Sequence, residues 1–267
     1  MNQLFDGMRV ILTLCFLFYA SWSDWKKREV SNKVWAVLGP VALLLTSVQY
    51  ILFAKDLIES LVFYGLSCAV MSGLAIILFY AGAFGGADAK ALICLSLALP
   101  HYPIYLLSSP QPYYSPLFPI TVFSNSVLLA AFTVVYALLR NLSWKLKTGS
   151  KLFEGLETES LGRKLLALLT GYKTHVAKLE RYDYLYPLED ISATGESPID
   201  RKLLMMPKDE DREKIVARIL DAARTGRIPD KVWATPGLPM LIFITAGLII
   251  ALVFGDLVWA LLFFALG

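Results

Sequence analysis

Of the 47 charged residues in the chain, 33 lie between Arg140 and Lys231. What remains is a series of long apolar runs almost free of charge. Apolar stretches of about 18 residues or more match the hydrocarbon thickness of a bilayer. The hydrophobic content of 57% agrees, since a soluble domain sits nearer about 45–50%.

The runs divide into six expected membrane spans, near residues 7–22, 34–53, 57–83, 89–107, 117–139 and 238–262. Loop charges orient them. Lys26, Lys27, Arg28 and Lys33 follow the first span, Lys90 follows the third, and Arg140, Lys145, Lys147 and Lys151 follow the fifth. The alternate loops are poor in cations: Lys55 alone in one, and no Lys or Arg from His101 to Pro119. Cations concentrate on the cytoplasmic side of membrane proteins, so both termini are expected outside. Trp22, Trp25, Trp35 and Trp233 at one end, and Tyr102, Tyr105, Tyr113 and Tyr114 at the other, are read as aromatic belts.

The first run is read as a retained helix. Its basic cluster follows the apolar stretch, whereas a cleaved signal peptide carries its positive charge first. The expected fold is therefore a polytopic α-helical membrane protein of six transmembrane helices. A small mixed α/β cytoplasmic domain is inserted between helices five and six. Residues 1–140 would hold helices one to five, 141–231 the soluble domain, and 232–267 the last helix. Within the insert, 208–224 and 161–169 have helical periodicity, and 182–186 reads as extended up to Pro187.

A net charge of +3 over this length argues against a nucleic-acid partner. Membrane lipids are the expected surroundings. Cys15, Cys68 and Cys94 show no C-x-x-C spacing and read as free thiols. No metal and no cofactor is called for. The chain has two histidines, His101 and His175, too few and too separated for an H-E-x-x-H zinc site or for a serine–histidine pair.

An ionisable group at the edge of a span is costly and suggests function. Asp6, Lys55, Asp56, Glu59 and Asp256 fall on the expected outer face. Asp24 and Asp88 fall on the cytoplasmic face. Taken singly, Asp24 reads equally as an interfacial partner of Lys27 or Arg28, and Asp88 as a helix N-cap. As a pair they say more. Two adjacent carboxyls cannot both ionise cheaply, so they share a proton. One then serves as general base toward a water, and the other polarises a carbonyl and returns the proton. The same carboxylates would also suit an ion- or proton-coupled transporter, which is the alternative reading.

At these positions the chain resembles the G-x-G-D membrane aspartic proteases, and among them the archaeal preflagellin and type IV prepilin-like peptidases. Three segments carry the resemblance. They are Ser23-Asp24-Trp25-Lys26-Lys27-Arg28 running to Asn32, then Gly85-Gly86-Ala87-Asp88-Ala89-Lys90, and Val232-Trp233 running through Pro236 to Pro239 before the last span. The resemblance implies Asp24 and Asp88 as the catalytic pair, with Gly85, Gly86, Ala87 and Lys90 supporting the second motif. It implies Pro236 and Pro239 as lining of a substrate groove. The implied substrates are archaellin or pilin-like precursors whose short basic leader precedes a hydrophobic helix. Ala87 stands where the family motif has glycine, so a small residue is expected to suffice there. The paired C-x-x-C loop of the bacterial branch is absent.

Overall fold

A computed structural model describes residues 2–103, 115–191, 201–204 and 209–266, with backbone alone at 209–211. The chain opens with five helices: α1 (Asn2–Lys27), α2 (Asn32–Phe53), α3 (Leu57–Tyr80), α4 (Gly86–Ala98) and α5 (Phe118–Thr148). Next come α6 (Leu161–Thr170), β1 (Tyr172–His175), α7 (Val176–Arg181), β2 (Leu185–Pro187), β3 (Glu189–Ile191), β4 (Arg201–Leu203), α8 (Asp209–Arg224) and β5 (Lys231–Pro236). The chain ends in α9 (Met240–Phe254) and α10 (Leu257–Leu266). Two compact units result, one of Met1–Ala130 with Pro239–Gly267, the other of Ala131–Leu238.

Four helices, α1, α2, α3 and α5, are long and apolar enough to cross a membrane, and α9 with α10 adds a fifth if that bent pair is one span. Ile58, Val62, Leu66 and Ile77 on α3 stay exposed. An apolar face of this size without a protein partner is a lipid-facing one. The chain is a multi-pass membrane protein.

The fourth expected span, 89–107, behaves differently. Its helix stops at Ala98 after 13 residues, because the residue before a proline is pushed out of the helical region. Leu99, which precedes Pro100, has φ −133° and ψ 65°. The end of that expected span, with Tyr105, Tyr113 and Tyr114, lies outside the described residues.

α4 packs against α1, α2, α3 and α9, and Ala91, Leu92, Leu95 and Ala98 are fully enclosed. A helix that ends there leaves its last carbonyls without intrahelical partners, and lipid offers none. Side chains from three helices supply them. Arg9 Nη1 donates to the Ala98 carbonyl at 3.0 Å. Thr46 Oγ1 donates to Leu97 O at 2.8 Å, and the Tyr64 hydroxyl donates to the same oxygen at 3.0 Å. Cys68 Sγ reaches Ser96 O at 3.6 Å. The Arg9 charge is neutralised by Asp6, whose Oδ1 lies 2.5 Å from Arg9 Nη2. Gln49 Nε2 donates to that oxygen as well, at 2.9 Å. Asp6 and Arg9 are 3% and 4% exposed, so Asp6 is a buried counter-ion rather than a loop charge.

The last expected span, 238–262, is broken. Gly255 takes φ 78° and the two helices meet at 59°. Asp256 caps α10, its Oδ1 accepting from the amides of Val258 at 3.0 Å and Trp259 at 3.1 Å. Asn125 bridges the break, donating to Gly255 O and accepting from Leu257 N, each at 2.9 Å. Nearby, α9 crosses α5 at Gly247, where an added Cβ would lie 2.3 Å from Ser126 Oγ and 2.8 Å from Val122 O.

The second unit is built on an antiparallel sheet of order β1-β5-β2, beside a β3-β4 pair. Helices α7 and α8 cover it, with Leu179, Ile219 and Val232 in the core. Trp233 was expected at a membrane interface. It is instead fully buried in β5 and stacks on Phe153 at 4.9 Å. Trp35 is buried too, whereas Trp22 and Trp25 are exposed. Pro187 is the last residue of β2, opposite Ala234, and ends the extended segment, which begins at Leu185 rather than at residue 182. Glu189 and Arg201 form a buried ion pair at 2.5 Å, and the Trp233 amide donates to Glu189 Oε1 at 2.7 Å. All three cysteines are free.

Removing one partner of a buried ion pair strands the other charge and costs about 3–5 kcal/mol. Arg9→Met should therefore lower the thermal unfolding midpoint of the protein in detergent strongly, and adding Asp6→Asn should recover part of the loss. Gly247→Ala should cost about 1–3 kcal/mol by overpacking. Gly65→Ala, with nothing within 4 Å of its Cβ, should be neutral or slightly stabilising in the same measurement.

Candidate active site

α1 runs past the expected end of the first span, so Asp24 sits within its last turns rather than beyond them. One turn earlier, Ser21 Oγ donates to Leu241 O at 2.9 Å and lies 2.8 Å from Thr245 Oγ1. These contacts, between buried side chains, seat this end of α1 against the start of α9. The helix closes with the Arg28 amide donating to the Asp24 carbonyl at 2.9 Å. Arg28 has φ 56°, the left-handed value that ends many helices. Among the described residues it is the one non-glycine with positive φ. Its charge acts on the Asp24 carboxyl. Ser23 Oγ donates to Glu29 O at 2.7 Å and folds the basic loop back.

Asp88 is in the first turn of α4, three residues past the N-cap, Gly85. It is therefore not the N-cap residue itself. Its Oδ2 accepts from the Gly85 amide at 3.0 Å, and a carboxylate in a first helical turn also faces the positive end of the helix dipole. A Cβ at position 85 would approach Asp88 Oδ2 to 3.2 Å, whereas one at Gly86 would meet Phe79 at an ordinary 3.6 Å. Glycine at 85 is what leaves room for the carboxylate. Ala87 lies in the helix and is absent from the residues of positive φ. The position needs no left-handed turn, and a methyl group is accommodated.

The two motif segments are joined directly. Lys90 Nζ donates to Asn32 Oδ1, the first residue of α2, at 2.7 Å. Through this bond and the Ser21–Leu241 contact, one end of the helix set collects the end of α1 and the starts of α2, α4 and α9. Both aspartates are partly buried there. Two such carboxyls can share one proton and hold a water between base and acid.

The two prolines fall in different elements. Pro236 ends β5, opposite Leu185. Pro239 is the N-cap of α9, at the end that Ser21 holds. Asn32, Ser21 and Thr245 were not singled out as site residues. Asn32 was visible only as part of a motif, and nothing in the spacing tells that Lys90 bonds to it. Among the described residues, no three His, Cys, Asp or Glu side chains gather as metal ligands.

Residues 11–135 match the type IV leader peptidase family, and residues 163–257 match the archaeal peptidase A24 C-terminus, type II. The chain is 29% identical over 248 residues to a preflagellin peptidase of Methanococcus voltae, covering 90% of this chain and 92% of that protein. It is 25% identical over 252 residues to a preflagellin peptidase of Methanococcus maripaludis, with 90% and 92% covered. The transporter alternative finds no support in these matches. Because peptidase matches account for the helices that carry both aspartates and for the sheet-containing segment after them, the chain belongs to the type IV leader peptidase family, among its archaeal members.

Proposed function

We propose that the chain cleaves the short basic leader from archaellin or pilin-like precursors, with Asp24 and Asp88 as its catalytic pair. The observation that carries the assignment is that the helix ends bearing them are tied together at one end of the helix set, by the Lys90–Asn32 and Ser21–Leu241 bonds. In this reading the ionised carboxyl takes a proton from a water bound between the two. The protonated carboxyl polarises the scissile carbonyl. Water oxygen adds to that carbon, the C–N bond breaks, and the departing amine takes up a proton. The Gly85 amide and the Lys90–Asn32 bond fix the turn that presents Asp88. Pro239 would border the groove for the substrate helix.

The loop cations support placing the aspartates and the segment 141–231 at the cytoplasmic face, with both termini outside. Six crossings then require one through α4. Its 13 residues span about 20 Å at about 1.5 Å each. The non-helical Leu99–Tyr102 adds at most about 13 Å, together up to about the thickness of a bilayer core. The Tyr102 hydroxyl donates to Leu252 O, near the far end of α9, at 2.9 Å, which supports such a traverse.

The test is cleavage of a preflagellin-type precursor by the full chain in bilayers, read as a size shift. Asp24→Asn and Asp88→Asn should each reduce cleavage by on the order of 10⁴, while folding is retained, because the amide oxygen can still accept from Gly85. Cleavage surviving in either variant would sink the assignment. Gly85→Ala should slow cleavage more than Gly86→Ala does, since only the former crowds a carboxylate oxygen.

A further inference from the structure

A cavity of about 290 Å³ lies in the second unit, between the end of α5 and the β1–β5 edge. Arg140, Lys147, Lys173, Lys178 and Lys231 line it, with His175 and Trp144, and the lining holds no acidic residue. Among the described residues, none of the four lysines has a carboxylate at salt-bridge distance. Asp230, the acid beside the cavity, is taken up by His175 at 2.6 Å.

Like charges do not gather without a cause. Lys173 and Lys231 share one ring, their ammonium groups 5.1 and 5.8 Å from the centre of Trp144. Burial pushes the Lys173 ammonium below its ordinary pKa, and Lys231 and Arg201 push the same way, against opposing pulls from Glu189 and Glu154. Trp144 also carries an indole N–H shielded from solvent and without an acceptor among the described residues. A donor left in that state costs free energy. Topology signals explain Arg140 and Lys147, which follow the apolar run of α5 directly. They do not explain Lys173, Lys178 and Lys231, which the fold brings in from distant positions.

We propose that this cavity is a binding site for a phosphoryl anion, the headgroup of an anionic lipid being its favoured source. Arg140 marks the point along α5 where the apolar run gives way to polar residues. A basic pocket at such a point is where lipid phosphates are taken up. A cationic peptide, by contrast, would be repelled. The lysines supply charge-assisted donors and the Trp144 N–H gains an acceptor. Nothing in the cleavage chemistry uses these residues.

The test uses the full chain in detergent. Native mass spectrometry compares retention of phosphatidylglycerol with that of phosphatidylcholine. Tryptophan fluorescence follows a titration with inorganic phosphate. The unmodified chain should retain phosphatidylglycerol preferentially. Lys173→Gln with Lys231→Gln should weaken retention about tenfold for each lysine lost, while Lys173→Arg with Lys231→Arg should keep it. Lys178→Gln, at an exposed position, gives a further weakened variant whose folding is not at stake. Unchanged thermal midpoints and leader cleavage show that the variants are intact. A phosphate response that these glutamines abolish, without lipid preference, assigns the site to a soluble phosphate. Retention that is equal in all variants, or absent for both lipid and phosphate in the unmodified chain, overturns the proposal.

Discussion

The membrane unit depends on how the carboxyl end of α4 is satisfied. A helix that stops inside a protein surrounded by lipid has no water to bond its last carbonyls. Here Arg9, Thr46 and Tyr64, from α1, α2 and α3, point donors at Leu97 and Ala98. The arginine is usable only because Asp6 and Gln49 hold its charge. This arrangement lets a short helix stay enclosed on all sides. It also holds the helix axis, and so the position of the first turn that carries Asp88 at the opposite end.

Much of this was legible in the sequence, and the exceptions have physical causes. The alternation of loop cations put Asp24 and Asp88 at one end of the helices before any contact was known. The helices of the charged segment 141–231 followed from apolar periodicity and came within a residue or so at α6 and α8. What was missed depends on tertiary partners. Asp6 looked like an outer-loop charge because no local pattern reveals that Arg9 folds back onto it. Trp233 looked like an interfacial aromatic because its strand is completed by β1 and β2, which lie far away in sequence. The shortening of α4 was readable in principle from Pro100, but apolarity continuing past it masked the signal.

The second aspartate motif shows the same division between local and distant effects. Its glycines differ in purpose. Gly85 keeps clear of the Asp88 carboxylate, while Gly86 merely has room. Ala87 sits in ordinary helical backbone, so the departure from the family pattern carries no conformational strain. A motif read as letters treats the three positions alike; their surroundings separate them.

The cradle around α4 also bears on how the chain enters the membrane. A 13-residue helix with Asp88 and Lys90 in its first turns is a poor candidate for insertion on its own. Its carbonyl partners all reside on α1, α2 and α3, which precede it in the chain. The order of the chain therefore matches the order of need: the three helices that supply its partners precede the one that relies on them. α4 is a dependent segment, its last carbonyls bonded by protein side chains rather than left to lipid.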